Sequence, residues 1–224
     1  MLLTRLQNLI GGIYDVRIAH DVYDFLVTDR RQLPHAARAG VADEELLVAQ
    51  PAEGADEVAL ALYLDPALLE RLARHDPLER LHGGNLADYW TALEGVSHFL
   101  YLAWNAGHDK PVSLLELEMQ AEVDKYVVSY WLMRRQFPGH FPAELHWALF
   151  ERPRLDPRLA APRAALYRAA SHYAGRFCEG LHARLARRRG AAGAGDEAEV
   201  VRELRRFYRL TSRRKLAHIE GSTC

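Results

Sequence analysis

Cysteine is nearly absent from this chain: Cys178 and Cys224 are the two present among 224 residues. That count excludes a zinc site built on thiolates and argues against a disulfide framework. Neither cysteine has a histidine with Asp or Asn close by in sequence to make it a nucleophile, so Cys178 reads as a core residue and Cys224 as a tail residue. Lysine is scarce as well. Only Lys110, Lys125 and Lys215 occur, leaving 26 arginines among the 29 basic residues, a bias that with abundant alanine reads as a GC-rich bacterial genome. No apolar run approaches the ~18 residues of a membrane span, and the start MLLTRLQNLIGGIYD lacks a long apolar block before a small-residue cleavage site. The sequence therefore predicts a cytoplasmic protein with no membrane partner. Also missing are a phosphate-cradling glycine loop ending in Lys-Ser/Thr, a Gly-x-Ser-x-Gly elbow, a His-Glu-x-x-His pair and a dinucleotide fingerprint, which argues against mainstream nucleotide, hydrolase and zinc-protease chemistry.

What is present is an ordinary globular composition, 49% hydrophobic and 26% charged, in a chain long enough to bury roughly 70% of its unfolded surface as one domain. The periodicity predicts an all-α fold, a helical bundle of three long and several short helices, with a small two-stranded β-hairpin inserted near residues 44–65. Residues 1–82 hold the N-terminal helices and the hairpin, and 83–224 the bundle core. Leu2, Leu3, Leu6, Leu9, Ile10 and Ile13 describe an amphipathic first helix interrupted by Gly11 and Gly12. A short helix is predicted through HDVYDFLVTDRRQL and a loop after Pro34. EELLVAQ and EVALALYLD flank the turn-rich PAEGAD as a hairpin. Asp65 followed by Pro66 starts a helix. Long helices follow over 86–106, over 113–136 with Ser113 as N-cap and Glu116 three residues on, and over 158–189, with a short AELHWALF helix between the last two. RRRGAAGAGDE forms a loop, and a last helix begins near Asp196 and runs to Leu210 or on to Ile219.

Three polar stripes interrupt otherwise apolar helices. Glu94, His98, Tyr101 and Asn105 follow at intervals of four, three and four; Glu118, Glu122, Lys125 and Ser129 do the same; Arg168, His172, Arg176 and Glu179 lie at four, four and three. Such spacings align side chains along one helix face. Carboxylates at i and i+4 repel, so Glu118 and Glu122 call for a neutralising partner, either Lys125 or a divalent transition metal. If the stripes face one another they enclose a polar pocket: a metal or acid–base site of Glu94, His98, Glu118, Glu122 and His172, with His98, Glu122 and His172 as catalytic candidates. Di-metal carboxylate bundles use a Glu-x-x-His pair at i and i+3 from each of two helices; here one pair, Glu94 and His98, lies at i and i+4. In a variant of this pocket, Arg168, Arg176, His172 and Lys125 bind an anion.

Charge is divided along the chain. Residues 1–150 hold 12 basic against 22 acidic residues, a net of −10, and residues 151–224 hold 17 against 8, a net of +9. A basic C-terminal helix pair docked on an acidic body accounts for this, as does a face offered to a polyanion. The segment VVRELRRFYRLTSRRKLAHIE interleaves aromatic and basic residues in a manner suited to RNA or single-stranded DNA, led by Arg206, Tyr208, Arg213, Lys215 and His218. The spacing of Arg213 and His218 faintly resembles that of helical ribonucleases of the HEPN class. That likeness, over six residues, implies an RNA-cleaving pair; the same spacing recurs at Arg135 and His140 across Pro138 and Gly139. Three functional expectations result: a non-catalytic helical protein binding a protein partner or forming a homodimer, a helical-bundle enzyme with the metal or acid–base site above, and nucleic-acid binding or cleavage through the basic C-terminal region.

Overall fold

A computed structural model describes residues 1–35, 42–49, 59–151, 160–187 and 194–221. The protein is mostly helical with a small mixed sheet. Helices α1 (Leu2–Tyr14), α2 (Pro66–Arg74), α3 (Leu86–Ala106), α4 (Leu114–Gln136), α5 (Leu145–Phe150), α6 (Ala161–Arg187), α7 (Ala194–Arg209) and α8 (Ser212–Gly221) follow in order, with strands β1 (Leu26–Val27), β2 (Glu44–Ala49) and β3 (Ala59–Leu64) between α1 and α2. The expected PAEGAD turn, the loop after His35, the segment 188–193 and Cys224 lie outside the described residues.

Caps account for several boundaries. The Asp65 carboxylate accepts from Ala67 N at 2.8 Å and Leu68 N at 3.3 Å, with Pro66 as the first residue of α2. Ser113 Oγ accepts from Glu116 N at 3.2 Å to start α4. Gly11 and Gly12 do not interrupt α1. The helix ends later, at Asp15, which adopts left-handed φ 54°, while Val16 N donates back to Gly11 O at 3.0 Å. A Cβ on Gly11 would lie 2.9 Å from Val16 O, so the glycine makes this reversal possible rather than breaking the helix.

Two expectations are corrected. The segment predicted as a helix through residues 20–33 is two 3-10 turns, Val22–Phe25 and Arg30–Gln32, around a two-residue strand. Asp21 and Asp24 close a reciprocal capping box on one turn, after which the chain extends as β1. The hairpin is consequently a three-stranded sheet of order β1-β3-β2: β2 pairs antiparallel with β3, as expected, and β1 adds in parallel with Leu26 opposite Leu62. The helix expected from Asp196 ends at Arg209, at the shorter of its two expected ends, and a further helix, α8, follows Leu210 and Thr211.

The long helices α3 and α4 pack together, and α4 also packs along α6, so α4 is enclosed from both sides. It buries fifteen of its residues, among them Glu116, Glu118, Gln120, Asp124 and Lys125. The sheet lies on α3, and the contact depends on Gly95. A Cβ there would sit 2.9 Å from Leu62 Cδ1 and 3.0 Å from Glu44 Cγ. Gly95→Ala is expected to cost about 1 kcal/mol, overpacking outweighing the gain in helix propensity, and to push Glu44 away from α3. Thermal melting checks it; a stabilised variant would mean that Leu62 and Glu44 give way freely.

Candidate functional site

Where α3, α4 and β2 meet, the first two polar stripes face each other and the sheet adds a sixth acid–base group, Glu44. Lys125 Nζ lies 2.6 Å from Glu94 Oε2 and 2.8 Å from Glu122 Oε1. His98 lies between two carboxylates, with Nδ1 3.4 Å from Glu44 Oε1 and Nε2 3.4 Å from Glu118 Oε2. The first contact is a hydrogen bond; at the second, Nε2 is buried with no hydrogen-bond partner. Glu44 reaches α3 because side chains alternate along a strand: its neighbour Glu45 turns the other way, to Arg30 at 3.8 Å. The cluster is deep but not sealed. His98 and Glu118 side chains are 5% and 4% exposed, while Glu94 and Glu122 are each 21% exposed.

Electrostatics follow from this arrangement. Burial raises the Glu44 carboxyl, with Glu94 and Glu118 adding to the rise against His98. Burial opposes charge on His98, yet the Glu118 and Glu44 carboxylates overcome it and hold the imidazole well above its usual range. Lys125 is likewise buried, and Glu122 and Glu94 more than offset the desolvation and keep it charged. Burial also disfavours ionised Glu94, but Lys125 and His98 pull its carboxyl below the ordinary value. Tyr167 on α6 comes close enough to feel Glu118, and its phenol is pushed up to about 12 by burial and that carboxylate. Four carboxylates thus share two bases in direct contact, Lys125 and His98, while the Arg163 guanidinium of α6 acts on Glu94 and Glu118 from further off.

A second buried network lies on another face of α4, its residues alternating in sequence with those of the first. Asp124 accepts from Tyr14 Oη at 2.5 Å, Ser97 Oγ at 2.5 Å and Gln120 Nε2 at 2.8 Å, tying α1, α3 and α4 together. Lys215 of α8 donates to Gln120 Oε1 at 2.5 Å, with its ammonium 4.6 Å from the Tyr101 ring centroid and 4.9 Å from that of Phe207. Glu116 accepts from Tyr101 Oη at 2.6 Å and from Ser212 N at 3.1 Å, so it serves the start of α8 rather than the capping box expected at its own helix. Burial raises Asp124 to about 6, against its three donors. Burial lowers Lys215 to about 7, against Glu116 and Asp124. The Asp124 carboxylate is matched by three donors, as a structural network requires, while the hydroxyl of Tyr208, stacked on Tyr14, is buried without a hydrogen bond.

The structure therefore brings Glu94, His98, Glu118 and Glu122 together and leaves His172 out. α6 turns Ala170, Ala174, Phe177, Cys178 and Leu181 inward, and the third stripe projects from another face. His172, Arg168 and Arg176 line an open groove of about 390 Å³ with His146, Tyr167 and Glu179. Lys125, spent on Glu94 and Glu122, is not part of that groove. In the C-terminal region Tyr208 and Lys215 are fully buried, so they offer no surface to a polyanion; Arg206 and Arg213 are exposed, and His218 Nε2 lies 3.4 Å from Glu203 Oε1. The basic helix docks on the N-terminal one. Arg205 and Arg209 donate to the carbonyls of Ile13, Tyr14 and Asp15 at 2.9–3.1 Å, where α1 leaves its last acceptors unpaired and its dipole is negative. Sequence reasoning missed Glu44, Asp124 and Gln120. The EVDK run inside an apolar helix was the available signal for Asp124; Glu44 carried none.

Fold and site together define a mostly helical protein with a partly open carboxylate–histidine–lysine cluster beside a small sheet. No helix among the described residues is long and apolar enough to cross a membrane. No family model, curated protein or solved structure matches the chain.

Proposed function

We propose that the protein is a helical-bundle enzyme whose active centre is the cluster of Glu44, Glu94, His98, Glu118, Glu122 and Lys125. The observation that carries this reading is the surplus of acid at the cluster, four carboxylates of which Glu118 is buried and the others partly so, in contact with two bases, with a histidine nitrogen left without a hydrogen bond. A carboxylate kept only to hold the fold is matched by donors, as Asp124 is by Tyr14, Ser97 and Gln120. Mismatched, perturbed groups with partial access to water are characteristic of sites that move protons or hold ligands. In this reading His98 carries the transferable proton and Glu118 is the base it faces, while Lys125 fixes Glu94 and Glu122 in place.

The test needs no substrate. Glu118→Gln removes one charge from the surplus and is expected to stabilise the protein by about 1 kcal/mol, as substitutions in strained functional sites commonly do. A loss of stability of similar size would make the cluster a structural network. The non-catalytic, partner-binding reading draws its support from Lys125, whose two short ion pairs are those of an internal tie, and that outcome would favour it.

A further inference from the structure

One oxygen each of Glu44 and Glu94 and one ring nitrogen of His98 lie within 4.8 Å of one another. A first-row divalent ion holds such ligands at about 2.0–2.2 Å, so side-chain adjustments of under about 1 Å would close the three around one ion. Two further observations point to a cation. His98 is 4% exposed and turns Nδ1 to Glu44, while its Nε2, without a hydrogen bond, faces Glu118 Oε2 at 3.4 Å, so that drawing one nitrogen to Glu118 leaves the other for an ion on the Glu44 side. Lys125 is committed to Glu94 Oε2 and Glu122 Oε1, which leaves His98, among the described residues, as the base in ion-pair contact with Glu44 and Glu118, with Arg163 acting on Glu118 from further off.

Resting on the reading that this cluster is the functional centre, we infer that it binds one divalent transition-metal ion through Glu44, Glu94 and His98, with Glu118 orienting the imidazole from the other side. The pairing of a carboxylate on one ring nitrogen with ligation by the other is a recurrent way of fixing a metal-bound histidine. An oxygen-rich set with one imidazole and no thiolate suits Mn²⁺ or Fe²⁺ ahead of copper or a soft-metal site. Glu44 comes from the sheet, so the ion would tie β2 to α3. The site is thus one His with carboxylates from a helix and a strand, not a pair of Glu-x-x-His helices.

The experiment is titration of the full chain, stripped of metal with a chelator, with Mn²⁺, following the free-ion paramagnetic resonance signal. One Mn²⁺ per chain is expected, with affinity lowered about tenfold or more in Glu44→Gln and unchanged in His172→Ala. Should Glu44→Gln fail to fold, His98→Gln carries the same comparison from within α3. No binding of Mn²⁺, or binding that survives in the Glu44 and His98 variants, overturns the inference as an adventitious surface site would. If no ion binds while Glu118→Gln still stabilises the fold, the metal is lost and the acid–base centre stands; if Glu118→Gln destabilises as well, both fall.

Discussion

Asp124→Ala is expected to cost about 4 kcal/mol of folding stability and to lower the melting temperature by roughly 10 °C. The carboxylate is completely buried and accepts hydrogen bonds from Tyr14, Ser97 and Gln120. Alanine would leave the Tyr14 and Ser97 hydroxyls and one amide hydrogen of Gln120 without their acceptor, and each orphaned buried donor costs about 1–3 kcal/mol. The loss also propagates. Gln120 positions Lys215, and Lys215 holds α8 against Tyr101 and Phe207, so limited proteolysis of the variant should cut first within α8. A change below about 1 kcal/mol would show that water replaces the carboxylate and that the network is not what joins α1 to α4.

The pH dependence of stability should carry a valley between pH 6 and 7, set by two groups of that network. Burial pushes the Asp124 carboxyl up to about 6 in the folded protein from an ordinary 3.8. The folded state therefore holds its proton more tightly, and this contribution, full below 3.8, is lost as pH rises through 6, about 3 kcal/mol in all. Lys215 runs the other way. Its folded value near 7 lies below 10.5, so folding releases a proton in that window and stability rises with pH from 7 to 10.5. Roughly 3.5 pH units at 1.36 kcal/mol each gives about 4–5 kcal/mol. Glu116 and Asp124 favour the charged lysine and Lys110 opposes it, and these effects are contained in the shift. Chemical denaturation of wild type and Lys215→Met across pH 6–10 isolates the lysine. The variant should lack the upward slope above pH 7. An equal slope in both proteins would mean that the ammonium is charged in the folded core throughout.

Much of the helical framework was legible because its signals are local. Asp65 with Pro66 and Ser113 before Leu114 mark helix starts by the donors their side chains satisfy, and the i, i+4 stripes at Glu94–His98 and Glu118–Glu122 fix one face each whatever packs against it. Residues 22–26 misled for the same reason: Val22, Phe25 and Leu26 sit at helical spacing, and only β3, more than thirty residues on, gives Leu26 and Val27 a strand to join. His172 was misplaced because the inward face of α6 is chosen by small residues. Gly175 brings the helix within 3.2 Å of Phe150 if given a Cβ, and Ala170 and Ala174 lie on the same buried side, so the stripe with the charges is turned outward. Glu44 could not be read at all. Its role depends on strand register, on the alternation that separates it from Glu45, and on the missing side chain of Gly95. Lys215 and Tyr208 were read as surface contacts because a basic, aromatic segment looks the same whether its arginines cap a neighbouring helix or face solvent.

Glu118 and Asp124 are six residues apart on one helix, both buried carboxylates, with opposite roles: one belongs to the proposed active centre and the other to the scaffold. Thermal unfolding of Glu118→Gln and Asp124→Asn, measured side by side at pH 7, is the most direct comparison, since each substitution removes one charge with almost no change in shape. A higher melting temperature is expected for Glu118→Gln, where a surplus charge is relieved, and a lower one for Asp124→Asn, where an amide NH₂ would face donors. A lower melting temperature in both would contradict this division of roles, and would make the carboxylate–histidine cluster part of the scaffold.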